Sequence, residues 1–140
     1  MILVALCLAF ALGKQKSSIK ISNSNLSQIM LAIIQVESSG NPFAMRYEPH
    51  LVKRYGWDKS WGYSYGLTQV VYGFHYKTCN LKSPSELFNP VANIKCGTKI
   101  FLHCHARHGS LRGALNCYNG DKSGRYARKV EKILNARSLS

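Results

Sequence analysis

The stretch "NLSQIMLAIIQVESSGNP", residues 25–42, decides the fold of this chain. Leu26, Ile29, Met30, Ile33 and Ile34 recur at i, i+3, i+4, i+7 and i+8, the apolar stripe of an amphipathic helix. Asn23 or Ser24 supplies its N-terminal cap, and Gly40-Asn41-Pro42 stops it. Glu37 closes the stripe. It follows Leu26 by eleven positions, so at about 100° per residue the two side chains lie within ~20° of each other. The carboxyl continues the apolar face, whereas Ser27, Gln28 and Gln35 occupy the wet one. Burial there disfavours the ionised form and raises a carboxyl pKa, the condition a general acid requires. The same position also suits a helix that leaves the core with a solvated last turn. Periodicity leaves both readings open, and a carboxylate at this end opposes the helix dipole.

Outward from that helix, other segments read helical. Ser83, Pro84 and Glu86 fit a capping box with proline at the first helical position. Asn89-Pro90 opens a longer helix with Val91, Ile94, Thr98, Phe101 and Leu102 on one face, ended by Gly109. Ser110 caps the next, whose face is Leu111, Ala114, Leu115 and Tyr118, closed by Asn119-Gly120. Tyr126, Val130, Ile133 and Leu134 mark a last helix. Residues 43–65 read as an aromatic-rich irregular loop, and "GLTQVVYGFHY" as a short helix after a glycine turn. No strand alternation stands out, so the expected class is all-α, with at most a minimal irregular or β loop region.

A length of 140 residues suits one domain, and 46% hydrophobic against 18% charged residues excludes a disordered chain. The net charge of +13 favours a polyanionic partner: nucleic acid, anionic lipid or an acidic wall polymer. "MILVALCLAFALG" resembles the apolar part of an export signal, although no Lys or Arg precedes it. Residues 1–20 are therefore expected to be a leader, and 21–140 the single domain. Four cysteines remain beyond it. Cys104 and Cys117 flank the Gly109-Ser110 turn and can face each other, which leaves Cys96 for Cys79. Four buried, reduced thiols are the alternative.

Four segments, in order, resemble the lytic transglycosylases of the soluble Slt type and the related goose-type lysozymes. They are "ESSGNP" (37–42), "YGLTQV" (65–70), "NPVANIKCGTKIFL" (89–102) and "ALNCYNG" (114–120). The resemblance spans about residues 25–136. It implies a lysozyme-like α fold with a saccharide groove, and cleavage of the β-1,4 bond between N-acetylmuramic acid and N-acetylglucosamine in peptidoglycan. Glu37 falls on the family's catalytic glutamate. The other implied substrate contacts are Ser39, Tyr65, Gly66, Gln69, Tyr118 and Asn119. In the family the tyrosine hydroxyl at the Tyr118 position lies close to the catalytic carboxylate. Gly66 is expected to let the backbone approach the sugar. Thr68 replaces the usual Met, which implies an altered apolar wall for an acetyl group. Phe101 replaces the usual Tyr, a change expected to matter to the core alone.

Ordinary glycoside hydrolysis needs a second carboxylate. Glu48 in "RYEPHL" and Asp58 in "GWDKSW" are the candidates, and Glu48 also suits an ion pair with neighbouring Arg46 and His50. A hydrolytic muramidase is thus the alternative to the transglycosylase. From another class comes a basic nucleic-acid-binding module built on Lys14, Lys16, Lys20, Arg125, Arg128, Lys129 and Lys132, but these cations are scattered and no recognised binding motif accompanies them. No nucleic acid, metal or cofactor is therefore expected. "HCHARH" (103–108) lacks zinc-helix spacing and reads as a basic helix surface. The expected partner is a peptidoglycan strand in the periplasm or outside the cell, cut by a monomer. Secretion, pilus, conjugation and phage systems, the last through a phage-encoded origin, all use such small enzymes.

Overall fold

The computed structural model describes residues 21–138. The expected leader, residues 1–20, lies outside them, as do Lys14, Lys16 and Lys20. Helix α1 (Asn23–Ser38) starts earlier than the periodicity indicated, because Ser22 is the cap: its hydroxyl accepts from the Asn25 N–H at 3.2 Å. Leu26, Ile29, Met30, Ala32, Ile33 and Ile34 are all buried, as the spacing requires. The helix stops where Ser39 turns left-handed, at φ 52°.

The segment that read as irregular is ordered. It holds strand β1 (Met45–Tyr47), helix α2 (Pro49–Tyr55), a 3-10 turn (Lys59–Gly62) and strand β2 (Tyr63–Tyr65). Strand β3 (Val70–Val71) and the one-turn helix α3 (Tyr72–His75) follow. The strands form an antiparallel sheet in the order β1-β2-β3, with Met45 opposite Tyr65 and Tyr65 opposite Val70. Strands of two or three residues are too short to display alternation.

A 3-10 helix (Pro84–Phe88) carries the capping box, with the Glu86 carboxylate accepting from the Ser83 N–H at 2.9 Å. Asn89 then caps α4 (Pro90–His108) by accepting from Ala92 N–H at 3.1 Å. Ser110 caps α5 (Leu111–Asn119), and α6 (Arg125–Ser138) completes the fold. On α4, Ile94, Thr98, Phe101 and Leu102 are buried, but Val91 is 45% exposed and does not share their face. His105 is also buried, against the Phe101 ring, so "HCHARH" is not wholly a surface segment.

Helix α4 packs on α5, and α1 packs on α6. Leu26, Met30, Ile33, Ile94, Phe101, Leu115, Tyr126 and Val130 meet in the resulting core. Tyr65, Val70, Tyr72, Leu81, Leu87 and Cys96 form a second cluster beneath the sheet. Each cluster carries one disulfide. Cys79–Cys96 ties the segment after α3 to α4, and Cys104–Cys117 ties α4 to α5, matching the expected pairs rather than reduced thiols.

Candidate active site

The end of α1, the turn at residues 66–69 and the end of α5 converge on one cleft of about 750 Å³. Glu37, Gln69, Tyr118 and Asn119 all line it, together with Arg46, Glu48, Ser64, Phe74 and His75. These residues are scattered through the chain, and the packing of the elements brings them together.

Ser38 locks the end of α1. Its hydroxyl donates to the Leu67 carbonyl at 2.8 Å, tying Glu37's neighbour to the 66–69 turn. Ser39 is exposed and makes no side-chain hydrogen bond. The turn is anchored in turn to α4 by Asn93. The fully buried Asn93 amide donates to the carbonyls of Tyr65 (2.8 Å) and Leu87 (2.9 Å). Its oxygen accepts from the Thr68 N–H (2.8 Å) and the Thr68 hydroxyl (2.7 Å). Gly66 has φ 71°, and a Cβ there would overlap the Leu87 carbonyl and the Asn93 amide. Its close approach is thus to the protein's own chain rather than to a sugar. Thr68 is likewise fully buried and forms no wall of the cleft. The Tyr65 ring is 4% exposed, its hydroxyl donates to the Ser60 carbonyl at 2.6 Å, and it lies outside the cleft lining.

Burial raises the Glu37 pKa above its ordinary value. The Tyr126 hydroxyl, the Arg46 charge and the Asn119 amide oppose that shift, and the neighbouring charge of Glu48 adds to it. Asn119 donates Nδ2 to Glu37 Oε1 at 3.4 Å. Tyr118 does not hold the carboxylate; its hydroxyl donates to the Thr68 carbonyl at 2.8 Å. The Glu37 charge acts on both Tyr118 and Tyr126 of α6, and it is the Tyr126 hydroxyl that favours the ionised carboxyl. The Tyr126 ring is 7% exposed, and its buried hydroxyl closes no hydrogen bond to any group, although Tyr126 and Glu37 line the same small cavity. Sequence reasoning assigned Tyr126 to the core through its helical spacing. Its hydroxyl, the one polar atom on that apolar face, was the available signal.

Gln69 has φ 49° and donates Nε2 to the carbonyls of Ala44 (3.1 Å) and Gly66 (3.0 Å). Glu48 does enter the cleft. Its Oε1 accepts from Arg46 Nε at 2.7 Å and from the Ser64 hydroxyl at 3.2 Å, with His50 Nδ1 3.8 Å from Oε2. Asp58 precedes the 3-10 turn at Lys59–Gly62 and does not line the cleft. Of the aromatic cluster only Phe74 lines the cleft; it meets Trp57 edge-on at 4.9 Å, and Tyr55 stacks on Trp57 at 4.8 Å. Burial, with the charge of His103, pushes the His75 pKa down to about 4, so His75 is neutral near pH 7. Among the described residues no group of three or more His, Cys, Asp or Glu side chains is arranged to hold a metal ion.

The family model described as Transglycosylase SLT domain matches residues 17–135. The chain is similar to the type IV secretion system protein virB1 of Brucella abortus biovar 1, Brucella melitensis biotype 1 and Brucella suis biovar 1. Each is 30% identical over 119 residues, covering 65% of this chain and 47% of the relative. The chain thus spans about half the length of the curated relatives it matches. No solved structure matches it.

Proposed function

Because the chain belongs to the transglycosylase SLT family, we propose that it is a peptidoglycan lytic transglycosylase with Glu37 as its single acid-base. The observation that carries this reading is the half-buried Glu37 carboxyl, its pKa raised by burial, in a cleft of about 750 Å³ that Gln69, Tyr118 and Asn119 also line. Protonated Glu37 gives its proton to the oxygen that bridges muramic acid C1 and the glucosamine. The C1–O bond breaks, and the carboxylate then takes the proton of the muramic acid's own C6 hydroxyl. That oxygen closes onto C1, leaving a 1,6-anhydro end. The proton count balances and no water is consumed. High effective molarity replaces the protein nucleophile.

Other groups have supporting parts. The Asn119 amide and the Tyr126 hydroxyl favour the carboxylate once it has lost its proton. Tyr118 and Gln69 shape the cleft wall, and Phe74, packed on Trp57, offers a ring face for a pyranose. A second reading is hydrolysis with Glu48 as base, since Glu48 lines the same cleft. Its Arg46 and Ser64 contacts suit a structural pair better than a base free to activate water.

The similarity to virB1 supports local wall opening for a type IV secretion system over pilus or phage use. In this reading residues 1–20 are an export leader, the enzyme works as a monomer in the cell envelope, and its cations serve anionic wall polymers rather than nucleic acid. Mass spectrometry of digested peptidoglycan tests it. Anhydromuropeptides are expected; reducing muropeptides, heavier by one water, would move the assignment to a hydrolase.

A further inference from the structure

A groove of about 660 Å³ runs between α4 and residues 79–89, and none of its lining residues lines the cleft. Leu81, Val91 and Ala92 supply apolar lining, and Lys95 and Lys99 supply cations. Its one carboxylate, Glu86, is committed to the capping box, where Oε1 accepts from the Lys82 N–H (2.7 Å) and the Ser83 N–H (2.9 Å). Among the described residues no aromatic ring lines the groove. The groove opens onto a longer row. Val91, Lys95, Lys99, His103 and Arg107 follow one another at intervals of four on α4, and such a row forms a ridge along a helix. Val91, His103 and Arg107 are exposed, and Lys95 and Lys99 are half-buried. Helix α4 carries no Asp or Glu to neutralise the row. Lys99 Nζ donates to the Thr78 carbonyl at 3.5 Å, which keeps its ammonium at the edge of the groove.

We propose that this groove and its row are a docking site for an acidic, partly apolar segment of another protein. Charge complementarity selects the partner, since Lys95, Lys99 and Arg107 favour carboxylates. Spacing agrees. Successive members of the row rise about 6 Å along the helix, close to the ~6.6 Å between alternate residues of an extended chain. Alternate Asp or Glu side chains therefore meet successive members of the row, and an aliphatic side chain enters the groove beside Leu81 and Val91. A single-stranded nucleic acid wants rings on which to stack its bases, and the groove offers none. A flat anionic membrane does not enter a concavity. The site stands apart from Glu37, so a docked segment leaves the cleft open and the inference does not depend on the reaction.

The probe is a fluorescein-labelled peptide in which Glu alternates with Ser around a central Leu, titrated with the whole chain by fluorescence anisotropy at physiological salt. Saturable binding is expected. Lys95→Ser, Lys99→Ser and Arg107→Ser together should weaken it at least about tenfold. The charge-keeping set Lys95→Arg, Lys99→Arg and Arg107→Lys should retain it. Lys53→Ser, Lys122→Ser and Lys132→Ser remove the same charge from other exposed positions and should stay within about twofold of wild type. Val91→Ser leaves the charge alone and should weaken binding about threefold. Equal weakening by the two charge-removing sets reduces the effect to net charge and overturns the site. A wild type that does not bind the peptide overturns it, as does a row variant that binds as tightly as wild type. A single-stranded oligonucleotide, or vesicles of phosphatidylglycerol, bound more tightly than the peptide and released by the row substitutions would also overturn it, and would give the row to that ligand.

Discussion

Asn119, the last residue of α5, donates its side-chain amide to the carboxyl of Glu37 at 3.4 Å, across 82 positions of sequence. The contact joins two of the four segments from which the family resemblance was drawn. It also joins the α1–α6 layer to the α4–α5 layer at the point where the chemistry is proposed. Replacing Glu37 by Gln keeps this shape and removes the proton donor. Activity on peptidoglycan should fall by about 10³-fold, within the range for loss of a general acid. Stability carries a sign as well. A carboxyl with a raised pKa in the folded state binds more protons than it does unfolded, so its contribution falls as pH rises from the unfolded value through the folded one. Glu37→Gln should therefore gain Tm over the wild type above that window and not below it. Thermal melts at several pH values check this, and a gain confined to acid pH would contradict it.

Tyr126→Phe isolates one opposing influence. The hydroxyl favours the ionised Glu37, so removing it should raise the Glu37 pKa further. The alkaline limb of the kcat/KM profile should move to higher pH. Thermal stability should hold or rise, since the buried hydroxyl has no hydrogen-bond partner to lose. An alkaline limb that stays in place would remove Tyr126 from the site.

Asn93→Ala should be the most damaging change outside the cleft. It leaves the Thr68 N–H and hydroxyl, and the Tyr65 and Leu87 carbonyls, without their partner. A loss of about 3 kcal/mol in urea unfolding is expected, with activity falling in step as the turn bearing Gln69 loosens.

The two disulfides should differ in effect. Breaking Cys104–Cys117 with a double Ser variant should cost about 3 kcal/mol, as should Cys79–Cys96. Only the first adjoins Tyr118 and Asn119, so the loss of activity in the folded enzyme should be larger for that pair. Equal activities of the two variants under native conditions would contradict this.

His75 gives an acid limit. Its folded pKa, about 4, lies below the unfolded value of 6.5, so the unfolded chain binds more protons between those values. The wild type should lose stability as pH falls from about 6.5 toward 4, and His75→Gln should lose less over the same interval. Urea midpoints at pH 7.5, 5.5 and 4.5 measure the difference.

The long helices were legible because five apolar positions at helical spacing leave little choice of structure. Glu37 was legible only in part: the spacing put it in line with Ile33 but suited a solvated last turn as well, and the family resemblance singled it out. Residues 43–65 were not, because strands of three residues held by tertiary contacts carry no local pattern. Periodicity also hid Tyr126, whose ring satisfies the helix stripe while it shares a cavity lining with Glu37. It gave Val91 to the core, although the first turn of α4 leaves that side chain in solvent. Ser39 and Tyr65 were adjacent to the right elements, but one residue along a turn or strand changes the face a side chain takes. The structure leaves Ser39 exposed, uses Ser38 to hold the 66–69 turn, and buries Tyr65 in the second apolar cluster.

Thr68 and Gly97 constrain how this sequence can drift. A Cβ at position 97 would strike the Thr68 side chain, while the Thr68 hydroxyl is held by Asn93. Thr68 fits only while α4 keeps a glycine one turn after Asn93, and a bulkier residue at 68 would forfeit the hydroxyl bond and press on that glycine. Two positions one turn apart on α4 and a third 25 residues earlier in the chain thus form one unit of inheritance, in which a change at any one must wait for compensation at the others.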